Sequence, residues 1–165
     1  MPSDVRHYLD LCEAGKLYHF LIMGTRWRGS RDQWKSEVWF HFLYGSNKNP
    51  KRLAQQGDLE LAVLVRYFAQ VFPTVDAWVR SKKARNYKKL ACDMQRREST
   101  LMIGGVCGRM AREYPHVPIV TIHDSISTTS AYVELVQRMI LEEFAKAGVC
   151  PKLHVEQYGF GLAAA

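Results

Sequence analysis

The residues best placed to do chemistry are His123 and Asp124. The apolar run Pro118-Ile119-Val120-Thr121-Ile122 leads into them, and Ser125-Ile126-Ser127-Thr128 follows. Two short strands meeting at such a pair hold a carboxylate at a hairpin tip, where a divalent cation can take it as a hard oxygen ligand. An ordinary polar hairpin tip has the same pattern. Arg31 and Lys35 form a second pair, four residues apart, so a helix places both cations on one face. Taken alone, that face reads as a solvated basic surface. The third feature is a block of charge. Arg80, Lys82, Lys83, Arg85, Lys88, Lys89, Arg96 and Arg97 stand against Asp93 alone, and the chain's whole formal charge of +7 is concentrated there. Such a block favours phosphate contact through counterion release. A solvated helix face is the plainer alternative, since only Tyr87 interleaves an aromatic ring.

The elements that must carry these residues are mostly helical. Residues 4–23 read as helix interrupted near Gly15, with Val5, Leu9, Leu17, Phe20 and Leu21 as apolar positions. Ser30 and Gln33 have capping-box spacing, worth about 1 kcal/mol, and start a helix that runs to Tyr44 and stops at Gly45. Asn47-Lys48-Asn49-Pro50 is a turn signal. Residues 58–71 form another helix, opened by Asp58. Pro73 ends that helix and begins the next, which carries Val75, Trp78 and Val79. A long helix is expected from about Met94 to Tyr114. Its glycines at 104, 105 and 108 each cost about 1 kcal/mol of helix stability relative to alanine, and they suit close packing. After the 118–128 hairpin, Thr128-Thr129-Ser130 caps a helix ending at Gly148. The alternation in Lys152-Leu153-His154-Val155-Glu156 predicts a last strand. The fold class is therefore α+β and helix-rich, with a small antiparallel hairpin.

At 165 residues the chain has the size of one domain, and its 47% hydrophobic content suits a globular core. No apolar run approaches the ~20 residues of a membrane span, and no signal-peptide core follows Met1. Cys12, Cys92, Cys107 and Cys150 are scattered without paired spacing. That argues against a zinc site and for reduced thiols in a cytoplasmic protein.

Arg31-x-x-x-Lys35 running on to Tyr44-Gly45 resembles the nucleotide-binding finger helix of family A-like single-subunit polymerases, which include the DNA polymerase I family and the phage-type RNA polymerases. Tyr67-Phe68-Ala69-Gln70-Val71-Phe72-Pro73-Thr74-Val75-Asp76-Ala77-Trp78 looks like the finger segment that follows. Gln95 opening a long helix, with His123-Asp124 on a hairpin after it, is similar to the second catalytic motif of the palm. Leu9 to Lys16 resembles the stretch just after the first palm motif. The likeness covers most of the chain in the family's order. It implies finger-like helices over residues 1–91, with the nucleotide-binding helix at about 30–44, and a palm-like region over 92–165 with the catalytic hairpin at 118–128.

By this resemblance Asp124 would ligate Mg2+ in a two-ion site, with His123 beside it at the primer end. Arg31 and Lys35 would face the triphosphate, and Tyr44 would close the site against base or sugar. Gln95 would reach the minor-groove edge of the primer–template. Lys82, Lys83, Arg85, Lys88 and Lys89 would lie along the nucleic-acid backbone. The plain alternatives are core packing for Tyr44 and a surface glutamine for Gln95; Trp34, Trp39, Phe40 and Phe42 read as packing. Two spacings depart from the family. Lys35 and Tyr44 are nine apart where eight is usual, and Ser125 stands where most DNA polymerases of this type have Glu. The aspartate of the first motif has no counterpart before residue 31. The expected activity is nucleotidyl transfer by a fragment or split subunit that needs an upstream palm segment or a second chain. The alternative is a non-catalytic nucleic-acid-binding module with a polymerase-like fold.

Overall fold

Gly15 divides the first apolar pattern into two helices, because it adopts φ +65°, a left-handed conformation that glycine tolerates best. In the computed structural model, which describes residues 1–122 and 125–157, α1 spans Ser3–Glu13 and α2 spans Leu17–Thr25. Ser30 then opens α3 with a complete capping box: its hydroxyl accepts from the Gln33 N–H, and the Gln33 side chain accepts from the Ser30 N–H. Helix α3 runs unbroken over residues 31–44, as α-helix at Arg31–Trp34, a π turn at Lys35–Trp39 and α-helix at Phe40–Tyr44.

The Asn49-Pro50 turn signal proves to be the start of a short helix, α4 (Pro50–Gln55). Asn49 Oδ1 accepts from the N–H groups of Lys51 and Arg52, and Pro50 occupies a position that needs no donor. Helix α5 (Leu59–Val71) follows, although Asp58 makes no side-chain cap there. Pro73 opens α6 (Pro73–Lys83), and the cap of this helix comes from far along the chain. Asp4 Oδ2 accepts from the Thr74 N–H at 2.7 Å, tying α1 to the positive end of α6. Burial alone would raise the Asp4 pKa, but bonds from Thr74, Val5 and Val75 outweigh it and hold the carboxyl below its usual value.

The basic segment is largely helical, and the long helix begins at Lys88 rather than near Met94. Asn86 Oδ1 accepts from the Lys88 N–H and supplies the start signal. Helix α7 covers residues 88–113, with a π stretch at Thr100–Cys107. Next come β1 (Ile119–Ile122), β2 (Ser125–Thr128) and α8 (Val133–Lys146), which is preceded by a single 3-10 turn. The two strands pair antiparallel with Ile119 opposite Thr128 and Ile122 opposite Ser125.

The structure is thus helix-rich with a small two-stranded antiparallel sheet. The expected strand at 152–156 does not form. Its lysine stem instead lies near Gly15, where a Cβ would sit 3.5 Å from the Lys152 side chain, so the segment runs toward the α1–α2 turn and not along the sheet. No helix among the described residues is long and apolar enough to cross a membrane.

Two cores are strung on α7. The larger unites α2, α3, α5 and α6 around Trp34, Trp39, Phe42, Phe68 and Phe72, and Leu90 of α7 joins it. Gly24 makes room for this packing, since a Cβ there would overlap the Tyr67 ring. The smaller core packs Val106 and Met110 of α7 against Val117, Val136 and Met139, with Ile119 and Ile126 from the inner face of the hairpin. The 91/92 division drawn from sequence falls inside this shared helix. Of the three α7 glycines, Gly105 lies closest to a neighbouring element: a Cβ there would sit 3.3 Å from the Glu143 carboxylate of α8.

Candidate functional site

A cleft of about 1220 Å³ opens between α1, α2, α3, α6 and α7. Arg31, Lys35 and Tyr44 line it from α3, and Gln95 lines it from α7. Four residues singled out separately along the sequence therefore share one cavity. Its volume exceeds the ~300–1,000 Å³ usual for small-molecule sites.

The π turn explains how α3 presents both ends to the cleft. At about 100° per residue, nine residues of straight α-helix would turn Tyr44 about 180° away from Lys35. A π turn takes up one residue with almost no net rotation. The remaining angle is about 80°, that of an eight-residue spacing, and both side chains reach the cavity. Such turns recur at functional sites.

Arg31 and Lys35 are exposed and have no ion-pair partner among the described residues. Both lie near Tyr18, the guanidinium 5.3 Å and the ammonium 5.9 Å from its ring centroid. Burial raises the Tyr18 pKa, the neighbouring Tyr44 adds to this, and Arg31 opposes it, so the phenol is neutral near pH 7. The cleft thus holds two cations over a neutral aromatic surface, an arrangement that attracts a polyanion and keeps the positive charge in place. Glu98 of α7 is the one carboxylate lining the cleft among the described residues. No group of three or more His, Cys, Asp or Glu side chains converges as a metal site among the described residues. His123 and Asp124 lie outside the described residues.

The basic block divides in two. Lys82, Arg85, Lys88 and Lys89 are exposed around the α6–α7 corner, outside the cleft, and Lys89 is paired with Asp93 at 2.7 Å. Lys83 is placed differently from its expected position along a nucleic-acid backbone. It is buried, and its ammonium donates to the Phe42 carbonyl at 2.7 Å, pinning α6 to α3. Burial, reinforced by Arg80 and partly offset by Asp76, lowers its pKa to about 8. Nearby, Asp76 Oδ2 accepts from Arg80 Nε at 2.6 Å, and Arg80 also reaches the Lys48 carbonyl.

Trp34, Trp39 and Phe42 are buried as packing residues, whereas Phe40 is exposed at the cleft wall. Sequence reasoning missed Tyr18, Glu98 and Trp78 in the cleft lining. Trp78 lies one residue from Val79 and three from Val75, and so reads as part of their apolar stripe. Only Val79 is fully buried, and Trp78 remains 53% exposed. No protein-family model, curated protein or solved structure matches the chain.

Proposed function

We propose that the cleft binds a nucleoside triphosphate and that the chain is the finger-bearing part of a template-directed nucleotidyltransferase. The observation that supports this reading best is the meeting of Arg31, Lys35, Tyr44 and Gln95 in one cavity, with both cations unpaired among the described residues. Arg31 and Lys35 hold the phosphates and offset the charge that grows on the leaving group. The positive end of α3 lies at Arg31 and adds to that field. Tyr44 and Tyr18 offer ring surface to the base or sugar. Magnesium arriving with the triphosphate would polarise the phosphoryl oxygens and stabilise the attacking and leaving oxygens. Asp124 is the proposed carboxylate for it, together with a second acid from another segment or chain.

Calorimetric titration with a magnesium nucleoside triphosphate tests the cleft. Arg31→Ala and Lys35→Ala should each weaken binding about tenfold or more, the loss expected for a charge-assisted hydrogen bond. Absence of binding by the wild type, or wild-type affinity in both variants, would refute the reading. For the reaction, primer extension should be weak or absent with the isolated chain and appear when an aspartate-bearing palm segment is added. Asp124→Ala should then abolish it.

The exposed cations of the α6–α7 corner favour a second reading, a nucleic-acid-binding module without catalysis. It predicts oligonucleotide binding that Lys82→Ala and Lys88→Ala weaken and that Asp124→Ala leaves unchanged, with no triphosphate affinity.

A further inference from the structure

Trp78 combines three properties that occur together in none of the other tryptophans. Its ring is 53% exposed on α6, it lines the same cleft as Gln95, and the Lys82 ammonium lies 5.6 Å from its centroid. Across the turn between α6 and α7, Tyr87 is 40% exposed with Lys88 6.0 Å from its ring. Exposed rings beside exposed cations, at the edge of the most basic part of the chain, need a ligand offering both negative charge and flat apolar faces.

From this arrangement we infer that Trp78 is a stacking platform for an unpaired base, and that the α6–α7 corner takes single-stranded rather than duplex nucleic acid. A duplex presents phosphates but hides its base faces inside the stack. A ring standing on a helix can meet a base face only where the strand is unpaired. Lys82, Arg85 and Lys88 contact the flanking phosphates, and the strand then enters the cleft past Trp78 toward Gln95. Lys83 contributes nothing to this surface, because its ammonium is bonded inside to Phe42. The inference rests on the nucleic-acid reading above and adds which form of nucleic acid is bound and which residue selects it.

A fluorescein-labelled 12-mer of deoxythymidine, compared with a 12-base-pair duplex by anisotropy, tests it. Trp78→Ala should weaken the single strand about 5- to 100-fold, the range for losing one base–aromatic stack. Trp78→Phe should keep most of the affinity. The duplex should bind at least about tenfold more weakly than the single strand. The three exposed corner cations without an ion pair among the described residues (Lys82, Arg85 and Lys88) give a log–log salt slope of about −2 for a single strand. Unchanged affinity in Trp78→Ala, equal binding of duplex and single strand, or no oligonucleotide binding would overturn the inference. Loss of triphosphate binding in the wild type with Trp78-dependent oligonucleotide binding intact would remove the polymerase reading and leave this one standing.

Discussion

The two cores of this chain are built on different principles. The larger is an aromatic lattice. Phe68 alone has ring centroids 4.8 Å from Phe42, 5.2 Å from Phe72 and 6.1 Å from both Tyr8 and Trp39. The smaller has only Val106, Met110, Val117, Val136 and Met139 fully buried and no large aromatic among them. It is clamped at the rim by charge. Arg109 reaches Glu113, Glu142 and Glu143, and Lys146 also holds Glu143. The cleft and its cations stand on the aromatic core, and the hairpin stands on the small one. A cleft wall backed by aromatic packing and a hairpin resting on a small aliphatic core thus belong to the same molecule, joined through α7.

The largest expected effect separates the cores by truncation. Phe68→Ala removes a ring that four others touch and should cost about 3–5 kcal/mol, enough to endanger the whole fold. Met139→Ala should cost about 2 kcal/mol, the low end for such a change, because a thin core collapses more readily onto a gap. Urea unfolding followed by near-ultraviolet dichroism measures both. Equal costs would mean that the two cores form one cooperative lattice.

An intermediate effect comes from pH: in both regions stability rises with pH, each in its own window. Lys83 has its folded pKa lowered to about 8 from 10.5. Between those values the unfolded chain binds the proton more readily, so the fold gains stability as pH rises through that window. Stability of wild type relative to Lys83→Met should therefore rise from pH 7.5 to pH 10. Glu143 acts with the same sign in an acid window. The Lys146 contact, with Arg109 also contributing, outweighs burial and keeps its carboxyl below the usual 4.5. Its contribution is complete above pH 4.5 and is lost as pH falls through the folded value. Relative to Glu143→Gln, wild type should weaken on acidification below pH 4.5. A flat difference for either pair would show that the group does not titrate differently in the two states.

Much of this architecture is legible in the chain because its signals are local. Ser30 and Gln33 state a capping box, Gly15 a left-handed break, Pro73 a helix boundary, and 118–128 a hairpin. Of the four cleft residues, Arg31 and Lys35 show a shared helix face in their spacing, whereas Tyr44 and Gln95 are named through the resemblance to family A-like polymerases. What could not be read depends on partners distant in sequence. Lys83 sits amid exposed cations in the chain, and only the approach of the Phe42 carbonyl, forty-one residues away, takes it inside. Trp78 sits in an apolar pattern, yet no element among the described residues covers it, and it stays half in solvent. Residues 152–156 alternate as a strand should, yet a strand needs a free partner edge, and the segment is directed elsewhere. The π turn in α3 has no signature in composition. A nine-residue separation between Lys35 and Tyr44 hints at it only once both side chains are known to face one cleft.

That turn gives the finest test of how the aromatic wall positions its cations, with the smallest expected change. Deleting Ser36 should let α3 close into a continuous α-helix with Lys35 and Tyr44 eight apart, preserving the angle of about 80° between them. Ser36 is exposed and bonds only to the carbonyls of Asp32 and Gln33 in its own helix, so its loss disturbs no packing. Triphosphate affinity should stay within about threefold of wild type. Thermal stability should hold or rise slightly as regular hydrogen bonds replace the bulge. Inserting one alanine after Ser36 should swing Tyr44 about 100° out of the cleft and weaken binding further than the deletion does. If the deletion weakens binding as much as the insertion, then the π geometry itself shapes the site, and the rotational account of the nine-residue spacing is wrong.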